Sequence, residues 1–264
     1  MKHTWLLISA YAFLACNTVA EAMTSDWMET PGGRVRIVIE DQPVEAGAEK
    51  EIRGALQIDL LPGWKTYWRN PGDSGVPPQV NLEKGNVEIA FPAPTRFGDA
   101  HESGIGYKQP VSLPLTFKLQ PGDTRLKGNV FLGVCANICI PVQAEFDLPL
   151  TESDAQSASA IATRILVDTA FSRLPEAATE TFGVKRVTRN ADEALFELAL
   201  PDKSAPAELF VASDTVSLSL PSPTLTADGK QAFTTRISGK ADNAIVDYTL
   251  IQNGRAVSGR VSLD

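Results

Sequence analysis

The residues best suited to chemistry lie in one short run, Gly133-Val134-Cys135-Ala136-Asn137-Ile138-Cys139-Ile140-Pro141. Two thiols at this spacing offer a structural disulfide, a redox-active disulfide or a two-thiolate Cu(I) site. On extended backbone the two Cα atoms would lie about 13 Å apart, whereas a disulfide needs roughly 4.4–6.8 Å. A bond between them therefore requires the chain to reverse, with Ala136-Asn137 as the turn and the flanks 126–134 and 142–150 as the arms of a hairpin. Judged on spacing alone, a stapled hairpin is the simplest reading. Two points weigh against it. A ring this small adds little by constraining the unfolded chain, and tight geometry makes a bond more reducible. A thioredoxin site is a poorer fit, because that chemistry uses C-x-x-C at a helix N-terminus and the context here is strand-like.

The remaining inventory excludes other chemistries. The chain of 264 residues holds three Cys and two His. Its start reads as a secretory signal: Lys2, an apolar run from Trp5 to Ala15, then Ala20-Glu21-Ala22 with cleavage before Met23. Cys16 imitates a lipoprotein box, but Phe13 and Leu14 fit that pattern poorly. Beyond this segment remain His101, Cys135 and Cys139, and the only soft thioethers are Met23 and Met28. One histidine cannot complete a Cys2His2 zinc site, and no G-x-S-x-G elbow accompanies it. A net charge of −8 argues against nucleic acid as a partner. No later run is apolar enough for a membrane-spanning helix.

The elements that must position the cysteines are strands. Alternation of apolar and polar residues marks 35–39, 55–60, 87–91, 111–119, 126–134 and 142–150, with turn signals at Pro62-Gly63 and from Asn70 to Gly75. This spacing of short strands is that of an antiparallel sandwich. From Thr151 the composition turns Ser/Ala/Asp-rich. Ser153 is a candidate cap, and Ile161, Ile165 and Leu166 recur at helical spacing, predicting a linker helix from Ala155 to Leu174. Strand-like segments then resume at 182–188, 194–200, 208–212, 216–220, 233–237, 244–251 and 256–263, with hairpin turns at Asp228-Gly229 and Asn253-Gly254. The fold expected is all-β: two immunoglobulin-like antiparallel β-sandwiches joined by a short helical linker. Its parts are a signal segment (1–22), a cysteine-bearing unit (23–150), and the linker with a second sandwich (151–264).

The segment Cys135-Ala136-Asn137-Ile138-Cys139-Ile140-Pro141 resembles the redox hairpin of the N-terminal periplasmic domain of the thiol:disulfide interchange protein DsbD. Three further stretches agree in order: Pro62-Gly63-Trp64-Lys65-Thr66-Tyr67-Trp68-Arg69, Phe91-Pro92-Ala93-Pro94, and Gly106-Tyr107-Lys108 leading into Val111-Ser112-Leu113-Pro114. The added Trp64, Tyr67-Trp68 and 71–75 features look closest to the copper-sensitivity suppressor, ScsB-like branch. The resemblance covers roughly 34–150.

It implies a periplasmic domain that takes reducing equivalents from a transmembrane electron donor of the DsbD/CcdA type. These would pass to periplasmic thioredoxin-like or disulfide-isomerase clients, with no cofactor and no metal. Carried over by position, Cys139 exchanges with the partner and Cys135 resolves the mixed disulfide. Tyr67 sits beside the hairpin, and a loop from Asp99 to Tyr107 covers the pair when idle. Asp99 and Glu102 are candidates for hydrogen bonds near the thiols, and Tyr107 is the only aromatic in that loop. Trp64 and Trp68 share one strand face as sandwich core while Tyr67 points opposite. The membrane conduit and thioredoxin-like domain of DsbD-type chains have no counterpart in this sequence, so the donor is expected to be a separate protein. The activity expected is that of a protein-disulfide reductase. Its rivals are a non-catalytic secreted binding module with a structural disulfide, and a periplasmic copper-handling protein.

Overall fold

A computed structural model describes residues 23–40, 50–72, 75–98, 103–150 and 157–263. The proposed signal segment with Cys16, and Asp99, His101, Glu102 and Ser153, lie outside the described residues.

In chain order the first sandwich comprises β1 (Met28–Thr30), β2 (Gly33–Ile39), β3 (Lys50–Leu60), β4 (Lys65–Gly72), β5 (Gln79–Leu82), β6 (Asn86–Ile89), β7 (Thr95–Gly98), β8 (Ser103–Tyr107), β9 (Val111–Leu119), β10 (Arg125–Cys135) and β11 (Cys139–Pro149). One sheet runs β1-β2-β3-β9-β6 and the other β11-β10-β4-β8-β7, with β5 also against β10. The alternation read from the sequence puts Ile37, Leu56, Leu113 and Phe117 of one sheet against Leu126, Leu132, Val142 and Phe146 of the other.

After helix α1 (Ala158–Ser172), the second sandwich comprises β12 (Glu176–Ala177), β13 (Gly183–Asn190), β14 (Glu193–Ala199), β15 (Ala207–Ala212), β16 (Ser217–Leu218), β17 (Ser222–Leu225), β18 (Gln231–Ser238), β19 (Ile245–Gln252) and β20 (Arg255–Ser262). Its sheets are β12-β20-β19-β15 and β13-β14-β18-β16, with β17 also pairing β18. Asn253 and Gly254 both take positive φ, 51° and 73°, in the two-residue turn between β19 and β20. That is what a hairpin turn of this length requires.

Three expectations need correction. The helix caps on Ser157, whose hydroxyl accepts from Ala160 N at 3.1 Å, and it ends at Ser172. Its buried stripe is Ala160, Thr163, Val167 and Ala170, while Ile161 and Ile165 face solvent. Small side chains on that stripe let the helix lie close on β2, β3 and β9. There Arg53 ties Glu40 to Asp168 and lies over the Phe171 ring. Trp64 precedes β4 instead of sharing its face with Trp68. It is half-buried against Gly32, where a Cβ would come within 2.3 Å of the indole. Finally, Asn70-Pro71-Gly72 continues β4 instead of starting a turn, because Asn70 is held by the second sandwich.

The two sandwiches share a continuous apolar boundary. Phe210 and Ala212 of β15 belong to the first core, and Phe210 meets Trp68 edge-on at 6.2 Å between centroids. Close by, Tyr107 is buried and donates its hydroxyl proton to Pro92 O at 2.8 Å. Burial pushes its phenol well above the ordinary tyrosine range, with Arg69 acting weakly the other way. The fold therefore keeps Tyr107 neutral. Its contribution is intact below about pH 10 and is lost as pH rises through the elevated folded value. Tyr107→Phe should lose about 1 kcal/mol in urea unfolding at neutral pH. The gap to wild type should narrow in alkali, and a constant gap up to alkaline unfolding would contradict the assignment.

Candidate functional site

The site is the tip of the β10–β11 hairpin. The two strands pair without a bulge from Arg125↔Pro149 to Cys135↔Cys139, so the cysteines are directly opposed and close a loop of Ala136, Asn137 and Ile138. Ala136 N donates to Ile138 O within that loop at 3.0 Å. The opposition brings the two Cα atoms to 4.1 Å, and the sulfurs are bonded. A one-residue slip would put the two thiols on opposite faces of the sheet, so the register that buries Leu132, Val134 and Val142 also sets the bond.

The two sulfurs differ in exposure. Cys135 is 1% exposed, whereas Cys139 is exposed beside Ile138, which is 68% exposed. The hairpin tip therefore presents one sulfur and an apolar side chain to solvent and keeps the other sulfur inside.

Strand β4 supports the buried side. Val134 and Cys135 pair with Thr66 and Lys65, and the Thr66 hydroxyl donates to Gly133 O at 2.8 Å. The next residue, Tyr67, turns away from the main core and places its hydroxyl 3.1 Å from Cys135 Sγ and 3.5 Å from Cys139 Sγ. Disulfide sulfurs carry no proton, so the phenol is the donor to both. Tyr67, Phe97 and Cys135 form a small buried cluster separate from the two sandwich cores. The Tyr67 and Phe97 ring centroids are 5.8 Å apart, tilted by 55°.

Glycines make room for these rings. A Cβ at Gly75 would sit 2.5 Å from the Tyr67 ring, and one at Gly104 would sit 2.3 Å from the Phe97 ring. Lys65 Nζ lies 5.1 Å from the Phe97 centroid on the outer side. The cluster can hold one sulfur dry and donate a hydrogen bond to it as charge develops there.

Of the residues expected at the site, the structure brings together Cys135, Cys139 and Tyr67. Tyr107 lies in the main core with its hydroxyl on Pro92, away from the sulfurs. Asp99 and Glu102 lie outside the described residues. Phe97 is the residue that sequence reasoning missed. Its signal was weak: one aromatic in Thr95-Arg96-Phe97-Gly98, just before the loop expected to act as a cap. Among the described residues, no group of three or more His, Cys, Asp or Glu side chains is placed to hold a metal ion.

Residues 34–151 match the family described as thiol:disulfide interchange protein DsbD, N-terminal. The first sandwich is thus similar to DsbD N-terminal domains. The N-terminal periplasmic domain of ScsB from Proteus mirabilis has a similar fold, with a TM-score of 0.70 at 19% identity over 91% of this chain and 99% of that one. Because the likeness spans nearly the whole chain, it includes the second sandwich. A marsupial T cell receptor aligns at a TM-score of 0.20 and 11% identity over 90% of this chain and 99% of that one, too low to carry an argument. No curated protein sequence matches the chain. The DsbD N-terminal match and the bonded Cys135–Cys139 pair together support thiol-disulfide interchange as the general chemistry.

The bond contributes little to folding, because it closes a tiny ring on a hairpin already paired along its whole length. Cys135→Ser combined with Cys139→Ser should cost at most about 2 kcal/mol in urea unfolding. A double variant that does not fold would show that the bond is a structural staple.

Proposed function

We propose that this protein is a periplasmic thiol-disulfide exchange protein that relays reducing equivalents from a membrane-embedded donor to disulfide-bearing, thioredoxin-like clients. The observation that carries the proposal is the asymmetry of the pair. An exposed Cys139 is bonded to a buried Cys135 that accepts a hydrogen bond from Tyr67. In this reading residues 1–22 are the secretory signal, 23–150 the redox unit, and 151–264 the linker and second sandwich. Among the described residues no helix is long and apolar enough to cross a membrane.

The geometry supports the following exchange. A donor thiolate attacks Cys139 Sγ, the sulfur that solvent and partners can reach. The Cys135–Cys139 bond breaks, its electron pair goes to Cys135, and a donor–Cys139 mixed disulfide forms. The charge that appears on Cys135 falls where the Tyr67 O–H already points, and a charge-assisted hydrogen bond is stronger than a neutral one. The donor's second thiol attacks its own sulfur in the mixed disulfide and releases Cys139 as thiolate. The protein has then gained two electrons, with two protons from solvent. Toward a client the steps reverse: Cys139 thiolate attacks the client disulfide, and Cys135 attacks Cys139 Sγ to release the reduced client. Ile138, exposed beside Cys139, is the apolar contact a partner would cover.

The reduction potential tests this reading against a structural disulfide. A relay must be reducible by its donor, so equilibration with a glutathione series should give a value well above roughly −300 mV, the level below which structural bonds of secreted proteins lie. A bond that resists glutathione and yields only to excess dithiothreitol would favour the binding-module reading.

A further inference from the structure

We propose that the second sandwich is a positioning module for the redox site, holding the Tyr67 hydroxyl on the sulfurs through Arg96 and Asn70; this rests on the exchange function proposed above. The two strands that supply the aromatic wall of the site, β4 and β7, each send a side chain to backbone carbonyls of the second sandwich.

Strand β7 is the weaker of the two. It has four residues, lies at the sheet edge and pairs with β8 alone. Short edge strands are among the first parts of a fold to open. Successive side chains on a strand point to opposite faces, and here the two faces are bound to different things. Phe97 turns to Tyr67 and Cys135. Arg96 turns to the second sandwich, where Nη2 donates to Leu209 O and Pro221 O, both at 3.1 Å, and the guanidinium lies 5.2 Å from the Phe210 centroid. Two bonds from one planar guanidinium nitrogen to two carbonyls fix direction as well as distance. Burial outweighs the attraction of Glu208 at this side chain, so its cation is desolvated and depends on those carbonyls.

Strand β4 is held in the same way, three residues beyond Tyr67. Asn70 Nδ2 donates to Val211 O at 2.9 Å and to Leu218 O at 3.3 Å, while its Oδ1 accepts from Gly72 N. Next to it, Arg69 pairs with Asp247 of β19 at 2.6 Å. Both tethers end on β15 and the residues that follow it. One strand of the second sandwich, β15, accepts a bond from each tether, at Val211 and at Leu209, and so sets the spacing between the strand that carries Tyr67 and the strand that carries Phe97. Without it, β7 would be held only by β8, and the ring that backs Tyr67 would be free to leave.

Tyr67 favours the reduced pair, because its O–H bonds a thiolate more strongly than a disulfide sulfur. Loosening Tyr67 therefore shifts the exchange equilibrium toward the disulfide. The test is the equilibrium constant of the full chain with glutathione near pH 8.5, where an ordinary thiol is about half ionised. Tyr67→Phe should move it toward disulfide by about tenfold, the loss expected for one charge-assisted bond. Arg96→Gln should move it the same way by about threefold to tenfold, and the double variant no further than Tyr67→Phe alone, because both act through one hydroxyl.

Arg189→Gln, which breaks an ion pair with Asp242 elsewhere in the second sandwich, should leave the equilibrium unchanged. Should Arg96→Gln not fold, Asn70→Ala carries the same expectation. An unchanged equilibrium in Arg96→Gln alongside a shifted one in Tyr67→Phe would overturn the proposal. Fully additive effects in the double variant would overturn it as well. A wild-type bond that glutathione cannot reduce would instead overturn the relay reading, and the variants would then be compared in dithiothreitol.

Discussion

One hydroxyl group, on Tyr67, lies within hydrogen-bonding reach of both sulfurs of the only disulfide among the described residues, and strand β4 and the β10–β11 hairpin bring the three together. The requirement is demanding. The phenol must lie against a buried sulfur while its ring faces away from the main core, on the side of β4 opposite Trp68. The strand therefore has a core face and a site face, and neighbouring residues serve each. Thr66 anchors β4 to the hairpin through Gly133 O, Tyr67 reaches the sulfurs, and Trp68 fills the core.

That division explains why the chemistry sits at a hairpin tip. Unbroken pairing along β10 and β11 carries the sandwich's register out to the tip, so the two sulfurs are directly opposed and face the same Tyr67. Direct opposition also makes the pair unequal. Cys135 ends β10 on a run of buried residues, whereas Cys139 is an exposed position at the start of β11. An exchange site needs this inequality, because a partner must reach one sulfur while the other waits as resolving or leaving group.

Much of this is local and was legible in the sequence. Alternation along 111–119 matches β9, and the alternation flanking the cysteines marks the two hairpin arms. The opposition of Tyr67 to Trp68 followed from strand periodicity alone. What could not be read depends on contacts distant in sequence. Arg96 bonds carbonyls 113 and 125 residues away, and Asn70 bonds carbonyls 141 and 148 residues away, so neither residue carries a local mark of its role. Phe97 stands in a four-residue strand too short for periodicity to reveal. The helix was legible only in part. The spacing of Ile161, Ile165 and Leu166 indicated a helix but not its buried face: the sheet accepts the small residues, and Ile161 and Ile165 are left outside.

The central claim is that Cys139 is the sulfur that exchanges and Cys135 the one that resolves. It is tested most directly by trapping. Each single serine variant, incubated with an oxidised thioredoxin-fold protein, is run on non-reducing gels and its adducts mapped by mass spectrometry. Cys135→Ser should accumulate a stable mixed disulfide through Cys139, because the resolving thiol is gone, and Cys139→Ser should form little adduct through the buried Cys135. Adducts through Cys135 alone would reverse the assignment, and no adduct from either variant would mark the bond as a structural staple.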